Sequence, residues 1–112
     1  MAYNTKLADR IREALMHLPV VTEKEMFRGI CFMVDDKMCI CVSGDEMLCR
    51  LGADAAEDAL ENNFVRQMIT RGKPMKDYVY VGEEAYLNKK DFDRWIQLCL
   101  DFNPLAKASK KR

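Results

Sequence analysis

Hydrophobic and polar positions fall into three main blocks of different spacing along the chain. From Asn4 to Leu18 the apolar residues Leu7, Ile11, Ala14, Leu15 and Leu18 recur every three or four positions, with Lys6, Asp9, Arg10 and Glu13 largely on the other side. That period predicts an amphipathic helix of about four turns, capped by Asn4 or Thr5. Pro19 and the β-branched Val20 and Val21 end it. Between Met26 and Gly52 the apolar runs become short and nearly continuous, broken at Asp35-Asp36 and Gly44-Asp45. Three strands joined by two tight turns follow from that pattern. Helical spacing returns after Asn88, a cap with Asp91 three residues on. There Phe92, Trp95, Ile96, Cys99 and Leu100 form a stripe that ends near Asn103-Pro104.

The segments between these blocks fill in the architecture. Thr22 to Glu25 has the form of a capping box, with room for a single helical turn before strand character begins at Met26. Residues 53–60 are rich in helix formers with acids early, which predicts a short helix. Residues 61–70 fit either a strand or a helical turn. Arg71 to Pro74 reads as a turn, Lys76-Asp77 as its continuation, and Tyr78 to Val81 as an edge or near-edge strand. The expected fold is α+β: a mainly antiparallel sheet with the N-terminal and C-terminal helices packed on it in two layers. Residues 1–106 are expected to form one domain and residues 107–112 a flexible basic tail.

Tight turns fix strand register, and register decides what each cysteine can reach. With Asp35-Asp36 as the first turn, Val34 opposes Lys37, Phe32 opposes Cys39 and Cys31 opposes Ile40. With Gly44-Asp45 as the second, Val42 opposes Met47, Cys41 opposes Leu48 and Ile40 opposes Cys49. Cys31 and Cys49 then flank Ile40 on one face, two strand spacings or roughly 9 to 10 Å apart, too far for a disulfide. Cys39 and Cys41 share the other face of one strand. Both faces are apolar, so each is expected to be at least partly covered. The five cysteines are odd in number and include no Cys-x-x-Cys pair, so they are expected to be reduced and mostly buried.

Charge narrows the partner classes. The chain has 18 basic and 18 acidic side chains, but Lys107, Lys110, Lys111 and Arg112 crowd the last six positions and leave 14 against 18 elsewhere. A body with four excess acids does not attract nucleic acid generally. There is no signal-peptide h-region and no run near the roughly 18 apolar residues that span a bilayer, so a cytoplasmic location without membrane contact is expected. No cofactor or metal is expected, because the thiols do not converge in a zinc-type pattern and no Gly-rich phosphate cradle is present. His17, Ser43 and Ser109 do not form a nucleophile–base pair, so no catalytic residue and no enzyme is expected.

The polar cluster with most to offer is Arg71, Lys73 and Lys76, followed directly by Tyr78 and Tyr80; Arg28 and Arg50 are cations emerging from apolar strands. Together they form the candidate interaction surface, cations fixing orientation around aromatic anchors. The runs from Met26 to Met38, Leu48 to Gly52 and Arg71 to Val81, together with the Trp95 helix, resemble the N-terminal domain of the TfoX/Sxy competence-regulator family over roughly residues 4 to 103. The resemblance implies a small α+β regulatory domain whose full-length relatives act with a transcription activator on competence genes in bacteria. It carries no catalytic residue across. The expected function is a non-enzymatic regulatory or protein-interaction module. Its partner would be another protein such as a transcription regulator, or a second copy in a homodimer. The alternatives are direct nucleic-acid binding, led by the basic loop and tail, and a small-molecule-binding protein or enzyme.

Overall fold

The computed structural model describes residues 3–26 and 29–106. Among them six strands form one antiparallel sheet: β1 (Val21–Met26), β2 (Gly29–Val34), β3 (Lys37–Ser43), β4 (Glu46–Arg50), β5 (Val65–Thr70) and β6 (Lys73–Val81). They lie in the order β1-β2-β3-β4-β6-β5. The helices are α1 (Thr5–Leu15), α2 (Ala53–Ala59), the single turn α3 (Glu83–Tyr86) and α4 (Lys89–Phe102). The α+β class, the antiparallel sheet and the helices toward either end follow the pattern of the sequence.

The tight turns form where the breaks in the apolar runs place them. Asp35 and Asp36 take φ of 54° and 66°, and Gly44 takes 58°. Such turns match the twist of the strands they join, and aspartate and glycine tolerate the left-handed region. Register between β3 and β4 is as expected, with Ile40 opposite Cys49, Cys41 opposite Leu48 and Val42 opposite Met47. Register between β2 and β3 is not. Val34 pairs with Lys37 and Met33 with Met38, but the ladder then skips Cys39, so Phe32 opposes Ile40 and Cys31 opposes Cys41. Cys39 is the extra residue of a β-bulge, which corrects the expected Phe32–Cys39 and Cys31–Ile40 pairs. Because side chains alternate with period two, a slip of one residue exchanges the faces of a whole strand. Cys31 and Ile40 accordingly lie on opposite sides of the sheet.

The main core is built on the face that carries Ile30, Phe32, Val34, Ile40, Val42, Met47 and Cys49. Leu7, Ala8, Ile11 and Leu15 of α1 and Phe92, Trp95, Ile96 and Cys99 of α4 close over it. Each large aliphatic or aromatic side chain so buried stabilises the fold by about 1.5–3 kcal/mol. Polar groups at its margin are satisfied. Asn4 caps α1 by accepting from the Leu7 amide at 3.0 Å, while its own amide donates to the Gly44 carbonyl at 2.8 Å and ties the helix to the β3–β4 turn. Asn88 accepts from the Asp91 amide at 2.9 Å, the cap expected for α4. Trp95 Nε1 donates to the Ala85 carbonyl at 2.9 Å, Tyr86 Oη to the Asp45 carbonyl at 2.6 Å, and the buried Asn103 Nδ2 to the Val34 carbonyl at 3.2 Å.

Three further segments depart from expectation. Thr22 to Glu25 belongs to β1 rather than a helical turn, because every residue from Val21 to Met26 has a partner on β2 and the ladder outweighs a local cap. Residues 61–70 resolve into a bend, where the Phe64 amide donates to Asn62 Oδ1 at 2.8 Å, followed by β5. The turn shrinks to Arg71 and Gly72, with φ of 54° and 79°, and the expected loop from Lys73 to Asp77 becomes the first half of β6. Since β4 pairs only with Tyr78 to Val81, that half has a neighbour on one side only, and Pro74 is tolerated there without its donor.

Candidate interaction face

Every buried helical side chain among the described residues belongs to the main core, so the other sheet face has no helix packed into it. That face holds a smaller cluster of Cys31, Met33, Cys41, Leu48 and Met68, with the half-buried Met38, Tyr78 and Tyr80 packed against it. The pairing draws one row across all six strands, running Lys24, Cys31, Cys41, Leu48, Tyr80, Arg66. Alongside it Arg50 pairs with Tyr78, and Met68 with Met75. The apolar centre is therefore rimmed by cations at both sheet edges.

The rim has defined geometry. The Arg66 guanidinium sits 4.4 Å from the Tyr80 ring centroid, and its Nε donates to Glu46 at 3.2 Å; that bond raises the Arg66 pKa above its ordinary value. Arg50 lies 5.5 Å from the Tyr78 ring and 6.0 Å from Phe102, and its Nη1 donates to the Met38 carbonyl at 3.3 Å. Burial pushes the Tyr78 phenol up, with Arg50 pulling the other way, so Tyr78 stays neutral. Phe102 reaches this end because Gly52, at φ 87°, leaves room for it: a Cβ there would come within 2.6 Å of the ring. Phe102, the last residue of α4, thus lies over Gly52 just past the end of β4.

Of the candidate surface residues, the structure brings Arg50, Tyr78 and Tyr80 together on this face. Lys73 pairs with Thr70 and alternates with Met75 onto the same side, nearer the hairpin tip, where Arg71 occupies the turn. Lys76 goes elsewhere, into a cleft beside α2 with Asp54, Glu57 and Gln67. Arg28 lies outside the described residues. Sequence reasoning missed Arg66 and Lys24. Arg66 is legible once residues 65–70 are read as a strand, because alternation with Met68 places it on the tyrosine face.

The thiols divide between the two faces. Cys31 and Cys41 are joined by a disulfide across β2 and β3, with Cα atoms 4.0 Å apart. This corrects the expectation that all five cysteines are reduced, and the bulge at Cys39 is the cause, since it sets these two side chains opposite each other. Cys39, Cys49 and Cys99 are free and buried under α4. Burial pushes the Cys99 thiol up, and Cys39 is raised by its hydrogen bond to Cys99 and then by burial. Both stay protonated and are poor nucleophiles. No group of three or more His, Cys, Asp or Glu side chains among the described residues is placed to hold a metal. The clefts beside α2, between α2 and α4, and between α1 and α4 hold charged side chains but no serine, cysteine or histidine.

The fold and this face define a small α+β domain whose sheet is covered by helices on one side only. The TfoX N-terminal domain family model matches residues 13–103, and the chain belongs to that family. The family is one of competence-related regulatory domains and is not known for enzymes. No curated protein and no solved structure matches the chain. No helix among the described residues is long and apolar enough to cross a membrane.

Proposed function

We propose that this chain is a regulatory interaction module that holds an acidic segment of another protein, a transcription regulator by the character of the family, against its uncovered sheet face. One observation carries the reading. Along the paired strands that face bears Lys24, Arg50, Arg66 and Lys73 against a single acid, Glu46, around an apolar centre of tyrosine and methionine. The acids of the helical side gather by contrast on α2, with Asp54, Glu57, Asp58 and Glu61 in and just after it and no cation among them, while on α4 Asp91, Asp93 and Asp101 are balanced by Lys89, Lys90 and Arg94. Cations fix the orientation and the on-rate of an acidic partner, tyrosines serve as rigid anchors, and methionine adapts to the partner's shape. Two such faces would repel each other, which counts against a symmetric homodimer formed through this surface.

The test uses the double variant Arg66→Glu/Lys73→Glu beside Lys76→Glu, which changes a cation on the α2 side. A protein captured by wild type is purified, and its affinity is remeasured with both. The double variant is expected to bind at least about tenfold more weakly, a loss of about 1.4 kcal/mol or more. Lys76→Glu is expected to bind as wild type. Equal losses in both would refute the assignment to this face. Tight binding to oligonucleotides that weakens steeply with salt would transfer the face to nucleic acid.

A further inference from the structure

The cysteine pair at the centre of this face is a grouping that the proposed function does not use. We infer that Cys31–Cys41 is a site of reversible thiol–disulfide exchange with a dithiol, and that its oxidation state sets the geometry of the recognition face. Three observations carry it. The two cysteines are direct cross-strand partners, held by the ladder whether or not they are bonded. Among the described residues no helical side chain joins their cluster, and the half-buried Met38, Tyr78 and Tyr80 pack against it. The other three thiols lie beneath α4, where burial keeps Cys99 protonated and a hydrogen bond to Cys99 does the same for Cys39. Cys31 and Cys41 are buried, but exposing them asks only side chains of this cluster to move, whereas exposing Cys99 requires α4 to leave the sheet.

In the exchange a thiolate of the dithiol attacks one cysteine sulfur, the Cys31–Cys41 bond breaks with the other cysteine leaving as a thiolate, and the dithiol's second thiolate then attacks its own sulfur in the mixed disulfide and releases the bound cysteine. The dithiol leaves oxidised to its own disulfide, and its two electrons and two protons reside on Cys31 and Cys41 as thiols. The freed sulfurs must then separate from bonding to van der Waals distance within a packed cluster. The next residues in the row are Leu48 and Tyr80, with Met33 and Met68 in the same cluster, so the displacement falls on the face itself. The consequence for partner binding rests on the proposed function; the exchange site does not.

The test takes the full chain, purified without reductant and labelled with 13C at the methionine methyls. Alkylation after denaturation is expected to find three free thiols before and five after treatment with dithiothreitol in native buffer. The methyl signals of Met33, Met38 and Met68 are expected to shift on reduction, while that of Met47, on the helical side, stays in place. The Cys31→Ser/Cys41→Ser variant should show no response to dithiothreitol. If that variant does not fold, Cys99→Ala serves instead, with two free thiols before and four after and the same methyl shifts. Five free thiols at the outset would overturn the site. So would a reduction that proceeds only when the protein unfolds, while one in native buffer that leaves the three methyls unmoved would overturn the control of the face's geometry. Partner capture indifferent to reduction, with the methyl shifts present, would overturn the link to recognition and leave the exchange site standing.

Discussion

Phe32 and Met33 are neighbours on β2 and both almost wholly buried, yet they belong to two different kinds of interior. Phe32 points into a core closed by α1 and α4, where aromatic and branched side chains interlock and polar margins are tied down by Asn4, Tyr86, Trp95 and Asn103. Met33 points into a cluster of two bonded cysteines, methionines and one leucine, against which, among the described residues, side chains of the same sheet pack. Apolar area removed from water stabilises on either side. Rigidity comes from elements that cannot move independently, and the helical face alone has them. The difference teaches that one side of this sheet is built for stability, while the other is adaptable enough to serve recognition.

The contrast is most directly broken on β2 itself. Phe32→Ala is expected to cost about 3–5 kcal/mol, because the helix-covered core cannot collapse around the void. Met33→Ala should cost about 2 kcal/mol, the low end for such truncations, as neighbouring methionines shift to fill the space. Denaturant midpoints of the two variants decide the matter, and an equal or larger loss for Met33→Ala would undo the distinction.

A smaller effect sharpens the helical side. Burial pushes Tyr86 up to about 12, so the folded state keeps a phenolic proton that the unfolded chain releases near its ordinary value of 10. This contribution is intact below about pH 10 and is lost as pH rises toward about 12. Tyr86→Phe removes the hydrogen bond to the Asp45 carbonyl, at about 1 kcal/mol near neutrality. Its thermal melting should also decline less steeply over that alkaline range than wild type does. A wild-type slope retained in the variant would place the alkaline sensitivity elsewhere.

The smallest expected effects are on the other face. Lys24→Ala and Arg66→Ala change exposed cations, and Arg66 is 62% exposed in its pair with Glu46. Stability should move by no more than about 0.5 kcal/mol. A large loss at either position would mean that the cations hold the fold together and are not held in reserve for a partner.

The sequence made some of this plain and hid the rest for identifiable reasons. Strong periodicity marked α1 and α4, and the Asn88 cap announced where the second begins. Asp35-Asp36 and Gly44 declared their turns because few residues accept positive φ. The bulge was invisible, since nothing in a run of Met, Cys and Ile tells which residue the ladder will skip. That single skipped position, Cys39, reversed the facing of β2, created the Cys31–Cys41 bond and divided the expected cysteine grouping. The candidate surface was legible at Tyr78 and Tyr80, where alternation holds. It failed at Lys76, because three residues of β6 have no partner on β5 between its pairings with Gln67 and Met68 and the alternation breaks there.

The facing of β2 is the claim on which the two interiors, the disulfide and the recognition face all depend. Proton NMR tests it through the Hα–Hα contacts of cross-strand pairs, which are strong where Cα atoms approach as closely as the 4.0 Å between Cys31 and Cys41. A strong contact between the Hα protons of Cys31 and Cys41, persisting after reduction, is the expected result. A contact from Cys31 to Ile40 in its place would contradict the account.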